Sequence, residues 1–163
     1  MKKIILLLLT AGAIAIYIQA CQNAGNQHQN NTKRTKARSA AEWKKILSPH
    51  AYDIMVNSGT ETPFNNPYWN NHQKGIYVSA ATGDTLFTSA DKFDSGTGWP
   101  SFVKPINSNK VEIRRDVSFG MVRDEVIEKS TGLHLGHVFD DGPADRGGKR
   151  YCMNSYAFKF IKQ

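Results

Sequence analysis

Residues 111–128 read Val111-Glu112-Ile113-Arg114-Arg115-Asp116-Val117, then Ser118, then Phe119-Gly120-Met121-Val122-Arg123-Asp124-Glu125-Val126-Ile127-Glu128. β-branched and aromatic residues recur through both runs, and parts of them alternate with charged ones. Period two is the repeat of a strand that buries one face. Working outward, the same character appears upstream in GIYVSA (75–80) and DTLFTS (84–89), and downstream in YAFKFI (156–161). Gly, Pro, Asn, Asp and Ser separate these runs every few residues, with no internal repeat and no βαβ rhythm. Short strands at regular spacing with turn signals predict a mainly antiparallel β domain. Before Gly59 the pattern differs. AEWKKIL (41–47) predicts a short helix with Trp43, Ile46 and Leu47 on one face, ended by Ser48-Pro49. A further helical turn is expected between His50 and Val56.

Two segments have too many turn formers to be strands. Phe93-Asp94-Ser95-Gly96-Thr97-Gly98-Trp99-Pro100-Ser101-Phe102 sets large aromatics among small residues. Asp140-Asp141-Gly142-Pro143-Ala144-Asp145-Arg146-Gly147-Gly148 is a long polar turn after His134-Leu135-Gly136-His137-Val138-Phe139. Loops held by a rigid scaffold carry a disproportionate share of functional residues.

The N-terminus has another task. Two lysines precede the apolar run IILLLLTAGAIAIYIQA, which reads as a secretory signal over residues 1–20. A retained membrane anchor is the alternative, since the run is near the minimum length for a span. Ile18-Gln19-Ala20-Cys21 resembles a bacterial lipobox, in which Cys21 becomes the lipidated first residue of the mature chain. Gln19 departs from that pattern. Cleavage near Ala20 with Cys21 left as a plain thiol is the blander reading. Residues 21–40 are polar and low in complexity, and read as a flexible linker. The expected location is therefore the periplasm or cell exterior, with the protein tethered to a membrane. The Lys33, Arg34, Lys36 and Arg38 cluster contributes to a net charge of +7. It lies in the linker and not among aromatics on a folded face, which argues against nucleic acid and for a solvated stalk or attraction to anionic lipid. Residues 41–163 form the folded domain, of a size that supports one core without disulfides, and a monomer is the expected state.

The chain has two cysteines, and one sits at the signal boundary. Cys152 thus lacks an obvious partner, and a lone thiol in an exported protein is a reactive candidate. If Lys149-Arg150-Tyr151-Cys152-Met153-Asn154-Ser155 begins a strand, Arg150, Cys152 and Asn154 share one face. A guanidinium beside a thiol favours the thiolate, which is the reactive form. An inert buried cysteine is the commoner fate of such a residue, but it would need neither neighbour. His134 and His137 can donate protons near neutral pH. A zinc site built on them would need Asp140, Asp141 or Cys152, and no CxxC is present; no metal is expected there. Trp99, stiffened by Pro100, either fills the core or walls an apolar pocket for a methyl or thioether group.

From Trp43 to the C-terminus the chain resembles the B-type methionine sulfoxide reductases, which act on the R epimer. The resemblance is carried by Gly59-Thr60-Glu61-x-Pro63-Phe64, Gly75-Ile76-Tyr77, Leu86-Phe87, the 92–102 run, His134 to Pro143, and Arg150 to Ser155. It implies a β fold of two antiparallel sheets with short N-terminal helices. It implies Cys152 as nucleophile, Trp99 against the substrate methyl, and a polar pocket side of His134, His137, Asp141, Arg150 and Asn154. Cys152 would become a sulfenic acid as methionine is released. Many relatives carry two CxxC pairs that bind a structural zinc. Here the corresponding positions are Ser79, Thr82, Glu128 and Thr131, so no zinc is expected. Many also carry a resolving cysteine where this chain has Thr97. Regeneration by an external thiol reductant, such as a thioredoxin-like protein, is therefore expected, with oxidised proteins as substrates and no bound cofactor. A tethered β domain that binds oxidised segments without turnover is the competing reading. A thiol hydrolase built on Cys152 and His137 would need an oxyanion hole that the sequence does not reveal.

Overall fold

Two serine caps start the α-helices of the described residues. In the computed structural model, which describes residues 34–163, Ser39 accepts a hydrogen bond from the Glu42 amide while the Glu42 carboxylate accepts from the Ser39 amide. This reciprocal cap opens α1 (Ala40–Ile46). Ser48 caps Ala51, and Pro49 supplies the first residue of α2 (Pro49–Asn57), which Ser58 ends in the left-handed conformation. Trp43, Leu47, Ala51, Ile54 and Met55 are buried. Ile46, expected on the same inner face, is 48% exposed, because α1 stops there and the extended Leu47 takes the inner position. The signal segment, Cys21 and the linker as far as residue 33 lie outside the described residues.

Nine strands form two antiparallel sheets among the described residues. The smaller has the order β2 (Thr85–Thr88), β1 (Gly75–Ser79), β9 (Phe158–Lys162). The larger runs β3 (Lys92–Phe93), β4 (Ser101–Phe102), β8 (Arg150–Met153), β7 (His134–Phe139), β6 (Arg123–Glu128), β5 (Val111–Asp116). The mainly β architecture with two short leading helices is the one expected. Two details differ. Residues 118–120 form a tight helical turn, so β6 begins only at Arg123, with Val117 and Val122 exposed at the hairpin end. Ser101 and Phe102, read as loop, pair with β3 and β8.

The core lies where the small sheet meets the large one. Tyr77 and Phe87 converge on Phe102, Phe87 stacked on it at 4.6 Å and Tyr77 edge-on at 5.0 Å, and Phe158 meets Phe87 edge-on at 5.7 Å. Such aromatic pairs contribute about 0.5–1.5 kcal/mol beyond area burial. The basic cluster read as a solvated stalk is anchored at two of its members. Arg34 forks onto both Glu112 oxygens at 2.6 and 3.0 Å and donates to the Lys129 carbonyl. Lys36 bonds Asp84 through Nζ and the Ser130 carbonyl through its amide. Spacing alone could not show these partners, which lie 48 to 95 residues away.

Candidate active site

Cys152 sits mid-strand in β8, flanked on both sides. Across β4 its register partner is Ser101, and across β7 it is His137. His137 in turn opposes Glu125 on β6. Directly opposed residues of antiparallel strands point to the same face, so hydroxyl, thiol, imidazole and carboxylate form one row across four strands. The close approach of β7 to β8 needs Gly136, where a Cβ would lie 2.3 Å from the Cys152 carbonyl oxygen. Arg150 and Asn154 lie two residues either side of the thiol, as period two requires.

The thiol is half-buried and opens onto a cleft of about 130 Å³ walled by Trp99, Arg123, His137, Phe139 and Asn154. Trp99 is not a core residue. Its indole N–H donates to the Glu61 carbonyl at 3.1 Å, which leaves the ring as cleft wall. Burial pushes the Cys152 thiol above its ordinary value, and the Arg150 charge with hydrogen bonds from Thr97 and Ser101 offsets only part of this. The guanidinium expected to favour the thiolate is present, but desolvation outweighs it. Arg150 acts on the thiol while held in place by other partners. It forks onto Asp141 with two bonds of 2.8 Å and lies over the Phe139 ring at 4.4 Å. Asp141 points outward and reaches the site only through Arg150. Thr97, in the position of the resolving cysteine of relatives, places its hydroxyl 3.9 Å from Sγ.

The two histidines occupy different environments. His137 lines the cleft. Burial pushes its ring below the usual value against the opposing pull of Asp116. His134 is 3% exposed and does not line the cleft. It bonds Glu125 at 2.8 Å and faces Asn154 at 3.5 Å. Asn154 is fixed by the Glu61 amide, which donates to its Oδ1, and by its own donation to the Leu135 carbonyl. Glu61 completes the frame. Its buried carboxylate accepts from the Ser155 and Tyr156 amides at 2.6 and 3.1 Å. Glu61, Asp116, Arg123 and Glu125 were not singled out in the sequence. The motif around Glu61 was the one available signal, and the other three reach the site only through strand register.

These features coincide with a family match. The SelR domain model matches residues 47–162. The chain belongs to the SelR domain family, that of the MsrB reductases. Peptide methionine sulfoxide reductase MsrB of Methanosarcina barkeri (strain Fusaro / DSM 804) is 50% identical over 123 residues, 76% of this chain and 86% of its own. In this MsrB family member Ser79, Thr82, Glu128 and Thr131, the positions expected to match the zinc ligands of relatives, are linked in a hydrogen-bonded knot. Both oxygens of the buried Glu128 carboxylate are taken, by Thr82 at 2.5 Å and Thr131 at 2.9 Å. Ser79 accepts from the Ala81 and Thr82 amides. One carboxylate and three hydroxyls, without nitrogen or sulfur, do not fit structural zinc.

Proposed function

We propose that this enzyme reduces peptide-bound methionine (R)-S-oxide to methionine, with Cys152 as the attacking group. The observation that carries this is the placement of Cys152 in one cleft between the Trp99 indole and the His137 imidazole. The indole offers an apolar wall suited to a methyl group beside sulfur. Because the resting thiol is pushed up, the thiolate forms as substrate arrives, with proton transfer to the imidazole. The sulfur attacks the sulfoxide sulfur, the oxygen takes a proton, and the S–O bond breaks. The hydroxyl passes to Sγ as the transient Sγ–S bond breaks, so methionine leaves and Cys152 is left as a sulfenic acid. An external thiol then condenses with the sulfenic acid, releasing water and forming a mixed disulfide. A second thiol resolves the mixed disulfide and restores Cys152. Thr97 beside Sγ supports this order, since a hydroxyl cannot form the intramolecular disulfide.

Residues 1–21 support a further part of the reading: export, lipid attachment at Cys21, and repair of oxidised proteins outside the cytoplasm. Release of the protein from membranes on Cys21→Ser would test attachment. The activity test uses R- and S-sulfoxide peptides with dithiothreitol. Turnover of the R epimer alone, abolished by Cys152→Ser, is expected. Turnover of the S epimer, or full activity of Cys152→Ser, would overturn the proposal.

A further inference from the structure

A second cavity, of about 550 Å³, opens behind the cleft and shares Arg123 and His137 with it; Asp116, Glu125 and His134 also line it. Here each imidazole meets a carboxylate, and the two pairs are built differently. His134 bonds Glu125 through Nδ1, while its Nε2 faces Asn154 Nδ2. The amide's orientation is set by its bonds to the Glu61 amide and the Leu135 carbonyl, so Nδ2 is a donor and Nε2 an acceptor. Both nitrogens of His134 are thus engaged within the protein. His137 has Nε2 at 3.1 Å from Asp116 Oδ2. That oxygen also accepts from Arg123 at 2.7 Å, and Oδ1 accepts from the Ser118 amide at 2.9 Å. These donors hold the carboxyl well below its ordinary range, so it acts only as an acceptor. The neutral His137 ring therefore carries its hydrogen on Nε2. Nδ1 has no hydrogen-bond partner among the described residues.

We propose that Asp116 is a positioning residue: it binds Nε2–H of His137 and thereby reserves Nδ1 for the proton that passes from Cys152 to the sulfoxide oxygen. This deepens the reading of Cys152 as nucleophile and rests on it. The proton balance closes. The thiol proton moves to Nδ1, giving thiolate and imidazolium. Sγ then bonds the sulfoxide sulfur and Nδ1 delivers its proton to the oxygen. The hydroxyl then passes to Sγ: the S–O bond and the new Sγ–S bond break, an O–Sγ bond forms, thioether departs and Cys152 is left as a sulfenic acid. The ring is again neutral, with Nε2–H unchanged throughout. The transient imidazolium lies against the Asp116 carboxylate, with Arg123 and His134 opposing it and Glu125, Arg114 and Cys152 as the remaining charged or titratable neighbours. An orienting carboxylate behind a proton-shuttling imidazole has this effect in hydrolytic triads as well.

The experiment combines ring nitrogen NMR of the full chain with kinetics of Asp116→Asn and Asp116→Glu. At pH 8 the native His137 is expected to show a protonated Nε2 and a bare Nδ1. Asp116→Asn is expected to lose at least about tenfold in kcat, within the roughly 10²–10⁴ that a positioned proton donor supplies, with KM changed far less. Its His137 titration, and with it the acid limb of kcat/KM, moves to lower pH because the anion that favours the charged ring is gone. Asp116→Glu is expected to restore part of both. The reverse tautomer in native protein overturns the proposal, and this measurement stands even if Asp116→Asn does not fold. So does an Asp116→Asn enzyme with native kcat and an unmoved titration. A native protein without R-sulfoxide turnover would instead sink the reading of Cys152, whatever the tautomer.

Discussion

At the scale of single residues, the proposed chemistry turns on a thiol that burial pushes above its ordinary range. Only the thiolate attacks. Alkylation of Cys152 by iodoacetamide should therefore be slow at pH 7 and rise about tenfold per pH unit up to at least pH 9. Arg150→Met removes the charge that pulls the thiol down and should slow alkylation at each pH. A rate that levels off below pH 8 would show that the guanidinium prevails over desolvation after all. In the proposed mechanism the substrate supplies what the resting site lacks, by excluding water and presenting an oxygen that accepts the displaced proton. This places the readiness of the site in the Cys152–His137 pair and not in the sulfur alone.

At the scale of elements, two close contacts set the spacing of the strands. In β7, Gly136 permits the approach that seats Cys152 opposite His137. Gly136→Ala should cost several kcal/mol, on the scale of other severe steric changes, and a thermal melt should show a midpoint lowered by many degrees. At the far end of β6, Glu128 gathers the Thr82 and Thr131 hydroxyls. Glu128→Ala leaves both hydroxyl hydrogens without an acceptor, though the oxygens keep the Asp84 and Leu133 amides, and should cost about 2–6 kcal/mol, at roughly 1–3 kcal/mol for each group left unpaired; a urea titration measures it. β1, β2, β5, β6 and β9, both helices and the row Arg150, Cys152, Asn154 were legible because they follow from local period, caps and turn residues, while the short β3 and β4 were hidden in a turn-rich run. Asp116, Glu125 and Glu61 were not, since each acts on a partner fixed by register or by a loop crossing from elsewhere. The state of the thiol was misread for a related reason. Period two placed Arg150 beside it, but the burial that outweighs the guanidinium is not a local property.

At the scale of the molecule, titrations from both sides bound the stability. Asp84, Glu112, Asp116, Glu125 and Asp141 are held below their ordinary range by the groups that bond them, although burial alone would raise Glu125. Groups depressed on folding stabilise above their unfolded values, and that stability is lost as pH falls. His137 adds to the acid side, since its folded value lies below the ordinary 6.5 and the unfolded ring takes up a proton first. On the alkaline side, Cys152 is raised above 9 and Tyr77 is pushed up to about 12, so the unfolded chain ionises first as pH rises. The urea midpoint should accordingly be highest between about pH 7 and 8.5 and fall on either side; a midpoint still rising at pH 10 would contradict this balance.

The order of the large sheet has a consequence for how the enzyme is made. β8 is next to last in the chain, yet it lies between β4 and β7. Until that segment is synthesised, both neighbours present unpaired edges toward each other, and the imidazole has no sulfur opposite it. A ribosome must deliver nearly the whole polypeptide before any catalytic machinery exists. A nascent chain stalled short of residue 150 is therefore an inert but sticky object, because closing the seam and arming the enzyme are one event.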